Sequence, residues 1–310
     1  MVEFTLPDVQ AWLPAAPFEI QRVGVRGVKK PVRVKRPSRD ATTLTATFEI
    51  FVDLPANQKG AHMSRNLEVA GAILDDALKR QVTDLEGVCE RIAAELLTRH
   101  EYATSSEVRA VADFFIDRVG FGGVKSVEAY RLIAEARAKR GEPTRKAIGV
   151  EVVGMTACPC AMETTRNLLK SEAGKVVIPD SAPSLTHNQR NVATLMIESR
   201  DGDNVDAERL VDVAEDSLSS PTYELLKRKA EGELVLAAHR NPKFVEDVVR
   251  GLLDKTLETF PKLANDVTVI VRSEAEESIH KHNAYAEVVT TLGELRRQKV
   301  QNGKKAAKSS

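Results

Sequence analysis

From Thr43 to Asp53 apolar and polar residues alternate, with Leu44, Ala46, Phe48, Ile50 and Val52 on one face and threonines with Glu49 on the other. That is the period of a half-buried strand. A looser alternation from Glu19 to Arg36, through Val23, Val25, Val28, Val32 and Val34 and loaded with Arg and Lys, predicts its antiparallel partner. The proline-rich residues ahead of it, 1–18, read as an irregular arm that packs against another part of the molecule. After the polar loop Asp53–Asn66 the period becomes helical: Leu67, Ala70, Ile73, Leu74 and Ala77 form one stripe, with Ser64 as its N-cap, and Val88, Ile92, Ala93, Leu96 and Leu97 form a second. Alternation returns at about 103–118 and 124–138.

Charge, Gly and Pro around Ala138–Pro143 mark a boundary. Beyond it the order repeats. Lys146–Met155 and Asn191–Glu198 read as strands, Val205–Leu218 and Pro242–Thr259 as helices, and Val267–Arg272 and His282–Leu292 as strands. Both halves show two strands, two helices and two strands, which predicts an α+β duplication: an arm (1–18), two modules (19–142 and 143–294) and a frayed tail (295–310).

Composition narrows the chemistry. The chain has 310 residues, enough for two domains, and 45 basic against 45 acidic side chains give no net field toward nucleic acid or membrane. No stretch has the form of a signal peptide or a membrane span, so a cytoplasmic protein is expected, with neither nucleic acid nor membrane as partner. Three cysteines make no disulfide framework. Cys89 lies in a helical pattern and reads as a small core residue. Cys158 and Cys160 read as metal-binding or reactive thiols.

The second module concentrates the reactive side chains. Cys158-Pro159-Cys160 is followed, about a helix length on, by His187-Asn188-Gln189-Arg190. Thiolates and an imidazole at the edges of apolar runs suit a metal site. Cys-Pro-Cys is too tight for both sulfurs to hold one tetrahedral ion, so one is the ligand and the other a neighbouring or redox partner. A third ligand is sought among Glu224, Glu231, Glu233 and His239, which periodicity does not rank. Asn241 and Pro242 read as the cap and first turn of the next helix, with Glu246 complementing its dipole. His280 and His282, at alternate positions, share one face of a strand.

Several motifs then form an ordered set: Asp53-Leu54-Pro55, Lys59-Gly60-Ala61-His62-Met63-Ser64-Arg65, the cysteine loop, His187-Asn188-Gln189-Arg190, Leu225-Leu226-Lys227-Arg228, Asn241 to Asp247, and Glu277-Ser278-Ile279-His280. Together they resemble a second family of GTP cyclohydrolases over roughly residues 40–290. The resemblance implies the tunnelling fold, in which tandem modules of antiparallel sheet with paired helices assemble into a barrel. It implies a homo-oligomer, dimer or tetramer, with GTP as substrate. It also implies Fe(II), with Mn or Zn substituting in vitro, held by Cys158, His187 and Glu231, although the surrounding Lys227-Arg228-Lys229-Ala230-Glu231 departs from the family's pattern. Glu246 corresponds to the anchor of the guanine edge, Glu277 and His280 to a proton-transfer pair, and Lys59, His62, Arg65 and Arg190 to triphosphate or ribose contacts. Cys158 and Cys160 join His280 and Glu277 as catalytic candidates.

The Met155-Thr156-Ala157 lead-in, about 26 residues between Cys160 and His187, and Ser219–Glu224 resemble the family's archaeal branch. Its product is 7,8-dihydroneopterin 2′,3′-cyclic phosphate, made with formate and pyrophosphate for methanopterin or folate-type cofactors. The alternatives are the bacterial branch, which makes the triphosphate, and a nitrile reductase of the same fold, against which the paired cysteines and the 59–65 loop argue. A metal-dependent scaffold is the non-enzymatic alternative.

Overall fold

The computed structural model describes residues 7–36, 39–79, 84–172, 179, 182–200, 203 and 205–309. Residues 1–6 of the expected arm, part of the segment between Cys160 and His187, and Ser310 lie outside these. The two alternating runs become β1 (Ile20–Arg36) and β2 (Arg39–Leu54), paired antiparallel with Val25 opposite Ile50 and Val32 opposite Leu44. Leu44, Ala46, Phe48, Ile50 and Val52 are all buried, as a period of two requires when one face meets a core. The register shifts between Val25 and Val28, where Gly27 takes a positive φ of 74° that a side chain would strain.

Two helices, α1 (Met63–Lys79) and α2 (Leu85–Arg99), follow and pack on each other. The stripe of α1 is rotated from the expected one. Val69, Ala70, Leu74 and Ala77 are buried while Leu67 is exposed, and Ser64 lies inside the helix rather than capping it. α2 buries Leu85, Val88, Cys89, Ile92 and Leu96 as its periodicity indicates. β3 (Ser105–Val119) pairs with β2, Val108 opposite Ile50, and β4 (Lys125–Lys139) succeeds it.

The chain's compact units do not follow the 142/143 boundary. One comprises Met1–Asp113 with Ile133–Ile148, the other Phe114–Leu132 with Gly149–Ser310. The tip of the β3–β4 hairpin therefore belongs to the second unit, where Arg118 meets Asp212 (2.7 Å) and Glu215 (3.3 Å) and Tyr130 Oη donates to Glu215 (2.5 Å).

The second unit takes up β5 (Arg145–Ala157) from Gly149 onward, which leads directly into α3 (Pro159–Glu172), and β6 (Asn188–Ser199) is followed by α4 (Ala207–Ser217). Then come the two-residue β7 (Ser220–Pro221), α5 (Arg228–Arg240), α6 (Val245–Thr259), β8 (Thr268–Ala275), β9 (Ala284–Thr291) and α7 (Leu292–Ser309). The strand order here is β5-β6-β8-β9, with β7 on β5, and β6–β8 and β8–β9 are antiparallel. Val248, Val249 and Leu252 of α6 and Leu210, Val211 and Ala214 of α4 are buried, and the two helices pack together beside β8.

Three sequence expectations are corrected. α3 and α5 stand where no helix was expected. His280 and His282 lie in the turn before β9 rather than on a strand face. The tail is helical: Leu292 N–H donates to Val267 O (3.0 Å), and Arg296 donates to Pro261 O (3.0 Å) and Leu263 O (2.9 Å), which anchors the first turns of α7. Among the described residues no helix is long and apolar enough to cross a membrane.

Candidate active site

The end of β5 is held from behind. Ala157 N–H donates to Ser219 Oγ (3.3 Å), and Ala157 O accepts from Lys243 N–H (3.0 Å). Lys243 Nζ donates to Ser217 O (2.9 Å) and Leu218 O (3.0 Å) at the C-terminal end of α4, where free carbonyls and the helix dipole favour a cation. Burial pulls its ammonium below the ordinary lysine range. Asn241 Nδ2 donates to Leu218 O and Ser219 O, both at 3.2 Å. Asn241-Pro242-Lys243 is therefore a clamp behind the cysteine segment and not the cap of α6, which starts after Phe244, whose N–H donates to Asp247 Oδ2 (3.1 Å).

This clamp sets Cys158 immediately ahead of α3. Its Sγ accepts from Ala161 N–H (3.4 Å), its N–H donates to His187 O (3.1 Å), and its carbonyl accepts from Thr186 Oγ1 (2.7 Å). The two motifs are thus hydrogen-bonded side by side, with the sulfur at a helix N-terminus, an end that favours negative charge. Cys158 is half-buried, while Cys160, one position into the helix, is exposed. Cys89 is fully buried, which pushes its thiol well up and leaves it a core residue.

His187 is oriented by two neighbours. Its Nδ1 lies 3.0 Å from Gln189 Oε1, and Gln189 Nε2 donates to Glu277 Oε1 (3.1 Å). An amide that donates to the carboxylate through its nitrogen presents its oxygen to the ring. Nδ1 then carries the hydrogen and Nε2 keeps a free lone pair, the arrangement by which metal-binding histidines are aimed. Glu277 Oε2 is buried and has no hydrogen bond; its 3.6 Å approach to His187 Nδ1 is too long for one.

The other expected residues are more open. His280 is exposed and stacks on His282, with ring centroids 5.2 Å apart and planes at 15°. Arg190 is exposed at the start of β6, and its carbonyl accepts from Glu276 N–H (2.9 Å), tying the Glu277 loop to that strand. Glu246 and Glu231 are exposed in the first turns of α6 and α5. Among the described residues no three His, Cys, Asp or Glu side chains gather into a group that holds a metal. Cys158 and His187 are neighbours, but Glu231, directed to solvent at the head of α5, does not complete a closed triad with them.

The first unit carries Lys59, His62 and Arg65. The arm packs on this loop: Lys59 N–H donates to Trp12 O (2.8 Å), Gly60 N–H to Gln10 O (3.1 Å), and Lys59 Nζ lies 5.4 Å from the centre of the Trp12 ring. Arg65 Nη1 donates to Arg99 O (3.0 Å).

The sequence pattern of the family described as Type I GTP cyclohydrolase folE2 matches residues 6–286, nearly the whole chain. The chain belongs to this GTP cyclohydrolase family. It is 41% identical over 310 residues to GTP cyclohydrolase MptA of Methanosarcina mazei, covering 95% of this chain and 98% of that one. It is 43% identical over 302 residues to GTP cyclohydrolase MptA of Methanothermobacter thermautotrophicus, covering 94% and 95%. As a cyclohydrolase it is an enzyme, a hydrolase acting on cyclic amidines. Its fold is similar to that of a uricase from Arthrobacter globiformis, with a TM-score of 0.51 at 8% identity over 87% of this chain and 93% of that one. That likeness shows the tunnelling fold and nothing about chemistry.

Within this cyclohydrolase, sequence reasoning quotes Gln189 in the His187–Arg190 motif but gives it no role of its own. Its signal was only its place two residues after His187 at the mouth of a strand, which puts both side chains on one face.

Proposed function

We propose that the chain is a GTP cyclohydrolase of the archaeal kind, converting GTP to 7,8-dihydroneopterin 2′,3′-cyclic phosphate, formate and pyrophosphate, at the head of a methanopterin or folate-type pterin pathway. The carrying observation is that two donor residues are joined through the main chain, Cys158 N–H to His187 O: Cys158 at the head of α3, and His187 with Nδ1 committed to Gln189 and Nε2 free. A thiolate and an imidazole fit two positions around Fe(II), and equally around Zn or Mn. The resemblance assigns the third position to Glu231. When bound, the metal supplies the Lewis acidity that makes hydroxide available near neutral pH for attack on guanine C8.

The chain's own groups divide the remaining work. Glu246 accepts the N1–H and 2-amino N–H bonds of guanine as a bidentate pair. His280 donates a proton to the imidazole-ring nitrogen as that ring opens, and Glu277, whose Oε2 is an unpaired acceptor beside His187, takes up a proton in the same region. Lys59, His62, Arg65 and Arg190 hold the phosphates as a ribose hydroxyl displaces pyrophosphate from the α-phosphate. Cys160, exposed beside Cys158, serves as its redox neighbour. The working form is a homo-oligomer: β9 ends the strand order with Tyr285 and Val289 exposed, an edge suited to pairing with another copy. A soluble cytoplasmic enzyme with no nucleic-acid partner accords with the balanced charge.

Anaerobic incubation of metal-free protein with GTP and Fe(II), Mn(II) or Zn(II), following formate and identifying the pterin by mass, tests this reading. A cyclic monophosphate with pyrophosphate is expected. A dihydroneopterin triphosphate assigns the bacterial-type reaction instead, and no formate with any metal sinks the reading.

A further inference from the structure

His62 sits at the head of α1 on a chain of polar groups. Its N–H donates to Tyr102 Oη (3.3 Å), which lies 2.7 Å from His100 Nδ1. His100 Nε2 lies 2.7 Å from Asn66 Oδ1, and Asn66 Nδ2 donates to Ile50 O (3.4 Å). His100 and Asn66 are fully buried. An amide oxygen only accepts, so His100 Nε2 carries the hydrogen, Nδ1 accepts from the tyrosine hydroxyl, and the tyrosine oxygen is left to accept from His62. One direction satisfies every group, which fixes the backbone of His62.

The imidazole of His62 is held from the other side. Nε2 lies 3.0 Å and 3.2 Å from the two carboxylate oxygens of Asp8, in the N-terminal arm. A carboxylate accepts and does not donate, so Nε2 carries a hydrogen. Nδ1 is buried and has no hydrogen-bond partner. An acid that fixes one ring nitrogen and leaves the other for chemistry is the arrangement by which carboxylates orient catalytic imidazoles.

We propose that Asp8 is a positioning residue for His62, fixing the Nε2–H form of its ring and so reserving Nδ1, covered in the free protein, as the atom that meets a phosphate oxygen when the substrate binds. The proposal rests on the reading above in which His62 contacts the phosphates. With an anionic oxygen at Nδ1 both ring nitrogens carry protons, and the Asp8 carboxylate balances the imidazolium. The arm's packing on Lys59 and Gly60 brings the carboxylate into place, so the arm is part of the phosphate site and not only a cover.

The test uses the full metal-loaded chain and compares wild type with Asp8→Ala, Asp8→Glu, His62→Ala and the Asp8→Ala/His62→Ala double variant. Asp8→Ala is expected to raise KM for GTP by roughly 5- to 10-fold with kcat within about twofold, the mark of lost ground-state binding. Asp8→Glu recovers part of it, and the double variant is no worse than His62→Ala, because the two act as one unit. In spectra of protein labelled with 15N-histidine, the His62 ring is expected in the Nε2–H form in wild type and in mixed forms in Asp8→Ala. A wild-type KM in Asp8→Ala alongside a raised KM in His62→Ala overturns the proposal while the functional reading stands. A wild type that releases no formate sinks the functional reading, and the ring spectra then decide the positioning by themselves: an unchanged His62 ring form in Asp8→Ala overturns it.

Discussion

The two histidine networks of this chain are built in opposite ways. In the first unit Tyr102, His100 and Asn66 form a closed chain in which each donor has an acceptor and the central imidazole is wholly buried. In the second, His187, Gln189 and Glu277 stop short: one carboxylate oxygen is buried with no hydrogen bond, and the imidazole keeps a free nitrogen on the residue whose carbonyl accepts from Cys158 N–H. A closed network spends its polarity on shape and holds a backbone in place. An open one keeps lone pairs in reserve for something that arrives later. Stability and function are therefore expected to fail separately when the two are mutated.

The largest effect belongs to the open network. Cys158→Ala and His187→Ala are each expected to lower formate release from GTP by at least about a thousandfold, roughly 4 kcal/mol of transition-state stabilisation, with metal content falling in parallel and the unfolding midpoint of the metal-free protein unchanged within error. A metal-replete but inactive His187→Ala would move the imidazole from ligand to proton carrier.

His100→Gln is expected to cost about 3 kcal/mol in denaturant unfolding at pH 7.5, since it breaks a buried chain and leaves Tyr102 and Asn66 without their shared partner. It also removes a pH dependence. Burial, with lesser contributions from Arg65 and His62, lowers the His100 pKa from 6.5 to about 4. Between those values the unfolded chain binds more protons than the folded one. The stability His100 contributes is thus complete above about 6.5 and is lost as pH falls toward 4, by about 3 kcal/mol. Glu86 in the same unit runs the other way: burial raises it from 4.5 to about 7, so its contribution is lost as pH rises through that range. The two oppose each other over much of the interval. The His100 slope is accordingly read as the difference between wild type and His100→Gln from pH 4.5 to 7.

Gln189→Ala is expected to have a smaller effect than either of these. Freed from its amide, the His187 ring loses its preferred orientation, and metal affinity is expected to fall roughly 10- to 100-fold in competition with a chelating dye, with global stability lowered by less than about 1 kcal/mol. An unchanged affinity would mean that Glu277 alone orients the ring.

The same contrast explains what was legible in the sequence. Strands and helices that bury large aliphatic side chains at regular intervals announce themselves: β2 through Leu44 to Val52, α2 through Val88 to Leu97, α6 through Val248 and Leu252. α5 does not, because its buried stripe is Ala230, Leu234 and Ala238, two of them alanines, while Val235 and Leu236 point outward and blur the period. α3 hides for a related reason: its buried positions include Arg166, which donates to Pro179 O (3.1 Å) and Ala182 O (2.8 Å) and so reads as a surface residue in sequence. The tail reads as frayed because its order comes from Arg296 and the main chain at Val267, which are tertiary contacts. In the site, Cys158 and His187 were legible as residue types at apolar edges. Gln189, Asp8 and the clamp of Asn241 and Lys243 were not, because their roles depend on which carbonyl or ring lies opposite, and no period encodes that.

The smallest predicted effect sharpens where that clamp belongs. Lys243→Met keeps the apolar stem but removes the donor to Ser217 O and Leu218 O at the end of α4. Two carbonyls lose a charged partner, although Leu218 O retains Asn241 Nδ2, so a loss of about 1 kcal/mol is expected in denaturant unfolding. The main-chain bond from Lys243 N–H to Ala157 O is untouched, and that bond, with Ser219 Oγ on Ala157 N–H, is what locates Cys158. Metal affinity should therefore stay within about twofold of wild type. A Lys243→Met protein that unfolds as expected but binds metal tenfold more weakly would show that the end of α4 steers the thiol, and the line between the shape-holding network and the open one would then run through the clamp.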